Sequence, residues 1–263
     1  MFALCLHPRH LTDIKNLNYI PVGLGKNDFS KDWLRDNTGK NISKKNPFYG
    51  EYTFHYWFWK NMIDSIPDNI FIGFCGYRYF WQNSNNEILL PKRKDILSKV
   101  PDEWNKYDAI IPCEQITTNI KFKKIIKNGG FSFLFNKKTY LKDQQTIKFH
   151  FDVFHGKDVL DRAIDLMNAK DRENFREYVT NNHSFHKWNM FICKSREIIK
   201  EYYNSLFDWL FKCESLFGFN LEGYAKRRIY GFLAERYLSY WFTKYTNYIS
   251  WETFRYDLDI DMK

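Results

Sequence analysis

Residues 71–81 read FIGFCGYRYFW. Phe71, Ile72 and Phe74 around Gly73 have the apolar composition of a strand buried on both faces. The run then ends in Cys75-Gly76-Tyr77-Arg78-Tyr79, which sets a guanidinium between two phenols where an ordinary strand meets a solvated turn. In open α/β sheets, ligands bind in the crevice beyond the carboxyl ends of the strands. Arg78, with Tyr77 beside it, stands just past such an end. Its planar, always-charged fork suits a bidentate contact to a diphosphate. Structural packing of an arginine on tyrosines is the plain alternative.

Working outward, further short apolar runs read as strands at Phe2–Leu6, Tyr19–Val22, Ala109–Pro112 and Trp188–Cys193, with the central one at Ile70–Phe74. Helical patterns fall near 48–63, 92–99 and 158–168 between them. Strand–helix alternation predicts an α/β fold with a mainly parallel central sheet. After Cys193 the apolar spacing changes to three and four. Residues 195–217 and 224–245 predict two long helices, parted at Gly218 and Gly223, so the C-terminal part is helical. No repeat, low-complexity tract or linker interrupts the chain. The expectation is one domain over residues 1–246, followed by a polar, solvated tail over 247–263.

At 263 residues the chain is long enough for a full core. Forty Lys and Arg against 31 Asp and Glu give a formal charge of +9, which attracts phosphates of any kind: nucleic acid, anionic lipid or nucleotide diphosphate. The five cysteines are scattered, odd in number and without CxxC spacing, so they read as apolar fillers in a reducing compartment. The first residues, MFALCLHPRH, are too short an apolar run for a signal peptide, and no stretch approaches eighteen apolar residues. A cytoplasmic protein is expected, with peripheral contact to an anionic inner-membrane surface left open.

Residues 36–52, DNTGKNISKKNPFYGEY, crowd short polar side chains into a loop that runs into an aromatic helix. Such a loop can hold a phosphate, ribose or sugar hydroxyl, or it can be a polar turn and nothing more. On the helix, Phe54, Trp57 and Phe58 read as core, whereas Glu51, His55 and Lys60 are placed for a cleft edge. His183 and His186 have the spacing of two metal ligands on a helical turn, but no carboxylate or cysteine cluster accompanies them, and no metal site is assigned. His155 precedes a helix with Asp158 in its first turn. In RRIYGFLAER, Glu235 falls at the rim of an apolar helix face. That position suits a general base, or an ion pair with Arg228 or Arg236. P-loop, nucleophile-elbow and GxGxxG sequences are absent, which removes the usual anchors of kinase, hydrolase and dehydrogenase readings.

Taken in order, CLHPRH (5–10), IPVG (20–23), DNTGKNISKKNPFYGEYTFHYWFWKN (36–61) and IGFCGYRYFW (72–81) resemble the bacterial capsular-polysaccharide and lipopolysaccharide glycosyltransferases whose shared domain was long catalogued as of unknown function. FHGKDVLDRAIDL (154–166), WNMFICKSREIIKEYYNSLFDWLF (188–211) and RRIYGFLAERYLSYWF (227–242) extend the resemblance over roughly residues 1–245. Two positions depart from the pattern: the histidine before Tyr-Arg is Gly76 here, and the second arginine is Tyr79.

The resemblance implies a GT-A-like fold and transfer of a hexose or hexofuranose from a nucleotide-sugar donor, UDP-linked by expectation, to a growing glycan or lipid-linked glycan. On that reading Asp36, Asn37, Asn41, Ser43 and Asn46 hold the nucleotide or sugar. Arg78 and Arg236 stabilise the diphosphate with Tyr77 beside them, and Glu235 is the base if the reaction inverts. His155, Asn189 and Glu51 line the acceptor side. Because no Asp-x-Asp follows the 70–74 strand, a cation is expected to do part of a metal's work there. No cofactor is expected, with Mg or Mn left open. The rival readings are a non-catalytic glycan- or nucleotide-binding protein of the same fold and, from another class, a basic nucleic-acid-binding module, for which no binding motif or dense basic stripe is found.

Overall fold

The structure is a computed structural model that describes residues 1–118, 120 and 145–260. Its strands are β1 (Phe2–Cys5), β2 (Ile20–Gly23), β3 (Leu34–Arg35), β4 (Ile72–Gly76), β5 (Tyr79–Trp81), β6 (Ala109–Pro112), β7 (Glu114–Ile116), β8 (Ser184–His186), β9 (Ile192–Cys193), β10 (Tyr248–Trp251) and β11 (Thr253–Arg255). The chain divides into two compact units. The first comprises Met1–Cys113, Trp188–Asn204 and the residues from Phe242 onward; the second comprises Glu114–Lys187 and Ser205–Trp241.

The first unit holds the central sheet, in the order β10-β6-β9-β4-β1-β2-β3, with β5 and β11 attached beside β4. β1 is parallel to both β2 and β4, β2 to β3, and β10 to β6. β9 runs antiparallel between β4 and β6. The sheet is therefore mainly parallel, as the sequence pattern predicts. Each central strand is apolar because both its faces are covered: Phe2, Phe74 and Ile192 are at most 4% exposed. Phe54 and Phe58, from the helix Tyr52–Asn61, pack their rings on Phe2 and Phe74. Burial of each such side chain contributes about 1.5–3 kcal/mol. That helix is built on the aromatic spacing of YTFHYWFW, and its His55 faces the same core, donating to or accepting from the Tyr203 hydroxyl at 2.7 Å.

In the second unit the helices Ile147–His155, Val159–Ile164 and Ala169–Asn181 pack with parts of the long helices Arg196–Phe217 and Ile229–Tyr245. Thr146 caps the first of these, accepting from the Phe149 amide. The Trp209 indole donates to the Ala163 carbonyl at 2.6 Å and the Tyr240 hydroxyl to Asp171 at 2.8 Å, so the aromatic core buries its polar ends satisfied. Gly218 and Gly223, at φ of +62° and +76°, take the left-handed turns that separate the two long helices, as expected.

Three local expectations are corrected. Residues 92–99 form only a 3-10 turn at Arg93–Asp95, where Asp95 accepts from the Lys92 amide at 2.7 Å. Beyond it Ile96 and Leu97 run extended against Trp81, which uses their apolar side chains as sheet cover. The strand expected at 188–193 shrinks to β9, since Trp188 adopts φ of +68° and breaks the extended run. The residues after 246 are not a solvated tail. Tyr248–Trp251 and Thr253–Arg255 are strands of the sheet, and Trp251 is 1% exposed with its indole donating to the Gln82 carbonyl. Asp261 lies outside the described residues.

Candidate active site

Since β1 and β4 are parallel neighbours, the segments that leave their carboxyl ends emerge side by side. The Tyr77 amide donates to the Leu4 carbonyl at 3.2 Å, which carries the pairing past the last strand residue. The His10 ring lies parallel to Tyr77 with centroids 5.7 Å apart, and His7 meets it edge-on at 5.8 Å. Arg78 lies over the Tyr77 ring, its guanidinium carbon 4.8 Å from the centroid. The arginine side chain is 48% exposed, so it faces outward from the end of the sheet as the sequence reading requires.

The segment after β11 returns to this end. The Tyr256 amide donates to the Arg78 carbonyl and the Leu258 amide to that of Tyr77. Asp257, whose side chain is 4% exposed, places Oδ2 3.3 Å from Arg78 Nε and 3.0 Å from Arg255 Nη2. Asp259 Oδ1 accepts from Arg9 Nε at 2.8 Å and stands 2.7 Å from His10 Nε2. Sequence reasoning missed Arg9, His10 and Arg255, and it left the acidic pair Asp257 and Asp259 in a solvated tail. The rule that found Arg78 applies equally to CLHPRH after β1 and could have found the first two. Arg255 carries no signal; Asp257 and Asp259 carry the Asp-x-Asp spacing, but nothing local says that a polar C-terminal segment folds back.

Glu51 and Asn189 also meet here. Asn189 Nδ2 donates to Glu51 Oε2 at 3.4 Å, while Asn189 Oδ1 is buried without a hydrogen-bond partner. Gly76 lies next to the pair: a methyl group there would stand 3.6 Å from Glu51 Oε1. Trp188, one residue before Asn189, stacks on Tyr79 at 3.7 Å between centroids. Its positive φ is the kind of backbone strain that clusters at functional sites.

The polar loop after β3 spends most of its side chains on itself. Asn41 Oδ1 accepts from the Ser43 amide and hydroxyl at 3.2 and 2.9 Å, and Asn46 Nδ2 donates to the Gly50 carbonyl at 2.9 Å. Thr38 accepts from the Trp57 indole at 3.0 Å. Asn37 is exposed. Asp36 differs: it is 1% exposed, its Oδ2 has no hydrogen-bond partner, and burial raises its carboxyl above the ordinary value. The Thr53 hydroxyl and Arg35 oppose that rise.

Glu235, Arg236 and His155 belong to the second unit. Arg236 is 2% exposed, forms a short ion pair with Glu235, donates to His150 Nδ1 at 3.2 Å and lies 4.3 Å from the Phe185 centroid. The sequence reading gives this guanidinium to the diphosphate; in the structure it is buried and paired with Glu235. The Glu235 side chain is 14% exposed, at the rim of its helix as expected. His155 stacks on Phe232 at 4.1 Å, with Nδ1 3.1 Å from the Ala225 carbonyl. His186 ends β8 and His183 lies in the bend just before it, so the two do not share a helical turn. Among the described residues, no group of three or more His, Cys, Asp or Glu could hold a metal ion.

Two buried histidines give the protein a pH signature. Burial pushes His55 down to about 3, and burial followed by the Arg236 charge pushes His155 well below 6.5. Both stay neutral in the folded state, whereas the unfolded chain takes up protons below the ordinary value of 6.5. Their stabilisation is thus complete above that pH and is lost as pH falls through the window beneath it. The melting temperature is expected to drop by about 2–4 °C per histidine for each unit below that value. Melting curves across this range check it: His155→Phe, which keeps a ring against Phe232, should flatten the slope, and an unchanged slope would count against the assignment. Asp36, whose carboxyl is raised, acts with the opposite sign nearer the carboxylate range.

Residues 3–247 match the model of a family described as a domain of unknown function, DUF4422. The chain belongs to that family. No curated protein matches it. Among solved structures, the apo structure of the bifunctional glycosyltransferase WbbM superposes with a TM-score of 0.54 at 18% identity, covering 96% of this chain and 45% of that one. At that identity the likeness establishes the fold: a mixed α/β, GT-A-like glycosyltransferase fold, as expected from the sequence. The chain spans less than half the length of the WbbM chain. No helix among the described residues is long and apolar enough to cross a membrane.

Proposed function

We propose that the protein is a glycosyltransferase that transfers a hexose or hexofuranose from a UDP-linked donor to a growing surface glycan, acting at the cytoplasmic face of the inner membrane. The observation that carries this reading is the half-exposed Arg78, stacked on Tyr77 and anchored by a nearly buried Asp257, at the carboxyl ends of two parallel strands. A leaving nucleotide diphosphate develops negative charge, and an outward guanidinium fixed from behind stabilises that charge without reorganising. Asp36 and the loop Asn37–Asn46 hold the nucleoside and sugar. Asn189 Oδ1 accepts from a hydroxyl of the acceptor, beside Glu51. Glu235, held by Arg236, is the general base, with Glu51 as its alternative. The excess of nine positive charges favours an anionic membrane surface and lipid-linked acceptor.

The test is incubation with a panel of sugar nucleotides and a glycan acceptor, with release of free nucleotide as the readout. Donor binding without turnover would favour the non-catalytic reading, and neither would reject both. Activity is also expected to survive chelation. The chain does carry an Asp-x-Asp spacing at this end of the sheet, but Asp257 is engaged by Arg78 and Arg255, and Asp259 by Arg9 and His10. Carboxylates already neutralised by guanidiniums are poor ligands for a hard divalent cation. Turnover abolished by EDTA and restored by Mg or Mn would overturn this and make those two carboxylates the metal ligands.

A further inference from the structure

Arg255 and Asp257 lie beyond residue 247, where the family match ends. We propose that Arg255 is a second contact for the donor diphosphate and that Asp257 positions both arginines; the proposal rests on the donor reading above.

Both guanidiniums converge on the same oxygen, Asp257 Oδ2, at 3.3 Å from Arg78 Nε and 3.0 Å from Arg255 Nη2. The carboxylate is 4% exposed, whereas the arginines are 48% and 53% exposed. The anion therefore lies behind and the cations in front. Asp257 is itself fixed, since its Oδ1 accepts from the Asp259 amide at 3.0 Å. The strand pairing supplies the rest of the geometry. β11 lies antiparallel to β5 with Arg255 opposite Tyr79, so Arg255 emerges next to the residue that follows Arg78. Both guanidiniums lie close enough to the Tyr79 phenol for their charges to act on it. One carboxylate against two guanidiniums leaves a net positive charge. Arg78 meets Asp257 through Nε, and its side chain is half exposed, so the guanidinium also faces solvent. Two neighbouring half-exposed cations match the two phosphates of a nucleoside diphosphate better than a monophosphate or a neutral nucleoside.

The experiment is calorimetric titration of UDP, inorganic pyrophosphate and uridine into the full chain and its Arg78→Ala, Arg255→Ala, Arg255→Lys and Asp257→Asn variants. Arg255→Ala should weaken UDP and pyrophosphate about tenfold and leave uridine unchanged, and Arg255→Lys should fall between it and the parent. Asp257→Asn should also weaken both diphosphates, and combining it with Arg255→Ala should cost less than the sum of the two. Simple loss of structure would instead lower uridine binding and the melting temperature together. If Arg78→Ala weakens UDP while Arg255→Ala does not, the second contact is wrong and the donor reading stands. If Asp257→Asn binds both diphosphates as the parent does, the positioning role is wrong. If the parent binds neither UDP nor pyrophosphate, the donor reading itself fails.

Discussion

Glu235→Gln is expected to lower turnover by roughly a hundredfold to ten-thousandfold while changing donor affinity little. A general base acts on the acceptor hydroxyl in the transition state, so its loss appears in kcat and not in ground-state binding. The amide keeps the side-chain volume at the rim of the helix and keeps an oxygen that accepts from Arg236. What it removes is the charge that accompanies a guanidinium only 2% exposed. Some stability is therefore lost, and turnover has to be expressed per folded molecule, with the melting temperature measured on the same preparation. A structural ion pair predicts the reverse pattern: a large fall in melting temperature with normal specific turnover, since removing one partner of a buried pair costs about 3–5 kcal/mol. That outcome would take Glu235 out of the chemistry and move the base to Glu51, whose contact with Asn189 lies beside Gly76. Glu51→Gln, carried through the same two measurements, then becomes the deciding variant.

The parts of this molecule that could be read from sequence are those whose signal is local. Phe71–Phe74 announces a buried strand because parallel strands covered on both faces have nowhere to place polar residues. The ring spacing of YTFHYWFW announces a helix for the same reason. Arg78 was found by combining the strand with the carboxyl-end rule. What stayed hidden depends on pairing between distant segments. Asp257 is a short acidic side chain in a polar stretch, and only the pairing of β11 with β5 brings it to Arg78. Arg236 sits in a helix motif whose apolar neighbours do not reveal that its guanidinium will be enclosed by Phe185 and His150. The loop after β3 reads two ways. Its Asn and Ser residues suit ligand binding, but the same short side chains also suit closing turns, and Asn41, Ser43 and Asn46 are used for that. Asp36, the one member of the loop with a buried and unpartnered oxygen, could not be told from its neighbours by type.

Arg78→Ala should weaken donor binding and turnover about tenfold to a hundredfold with the fold intact, the loss of a charge-assisted bidentate contact costing about 1.5–3 kcal/mol. The fold should survive because the side chain is half exposed and its backbone partners are unaffected: the Arg78 carbonyl still accepts from the Tyr256 amide. Asp257 keeps Arg255 as a partner, so the variant does not strand a buried carboxylate. Arg78→Lys discriminates further. It restores the charge but not the planar fork, so recovery of a small part of the loss would identify geometry, and full recovery would identify charge alone, as the source of the effect. Salt adds an independent check, since a contact between exposed charges weakens as ionic strength rises. Parent binding of UDP should fall with salt more steeply than binding by Arg78→Ala. Kinetics, affinity and salt slope all equal to the parent's in a folded Arg78→Ala protein would place the diphosphate elsewhere, and Arg78 would then be a surface arginine that holds the C-terminal segment against the sheet.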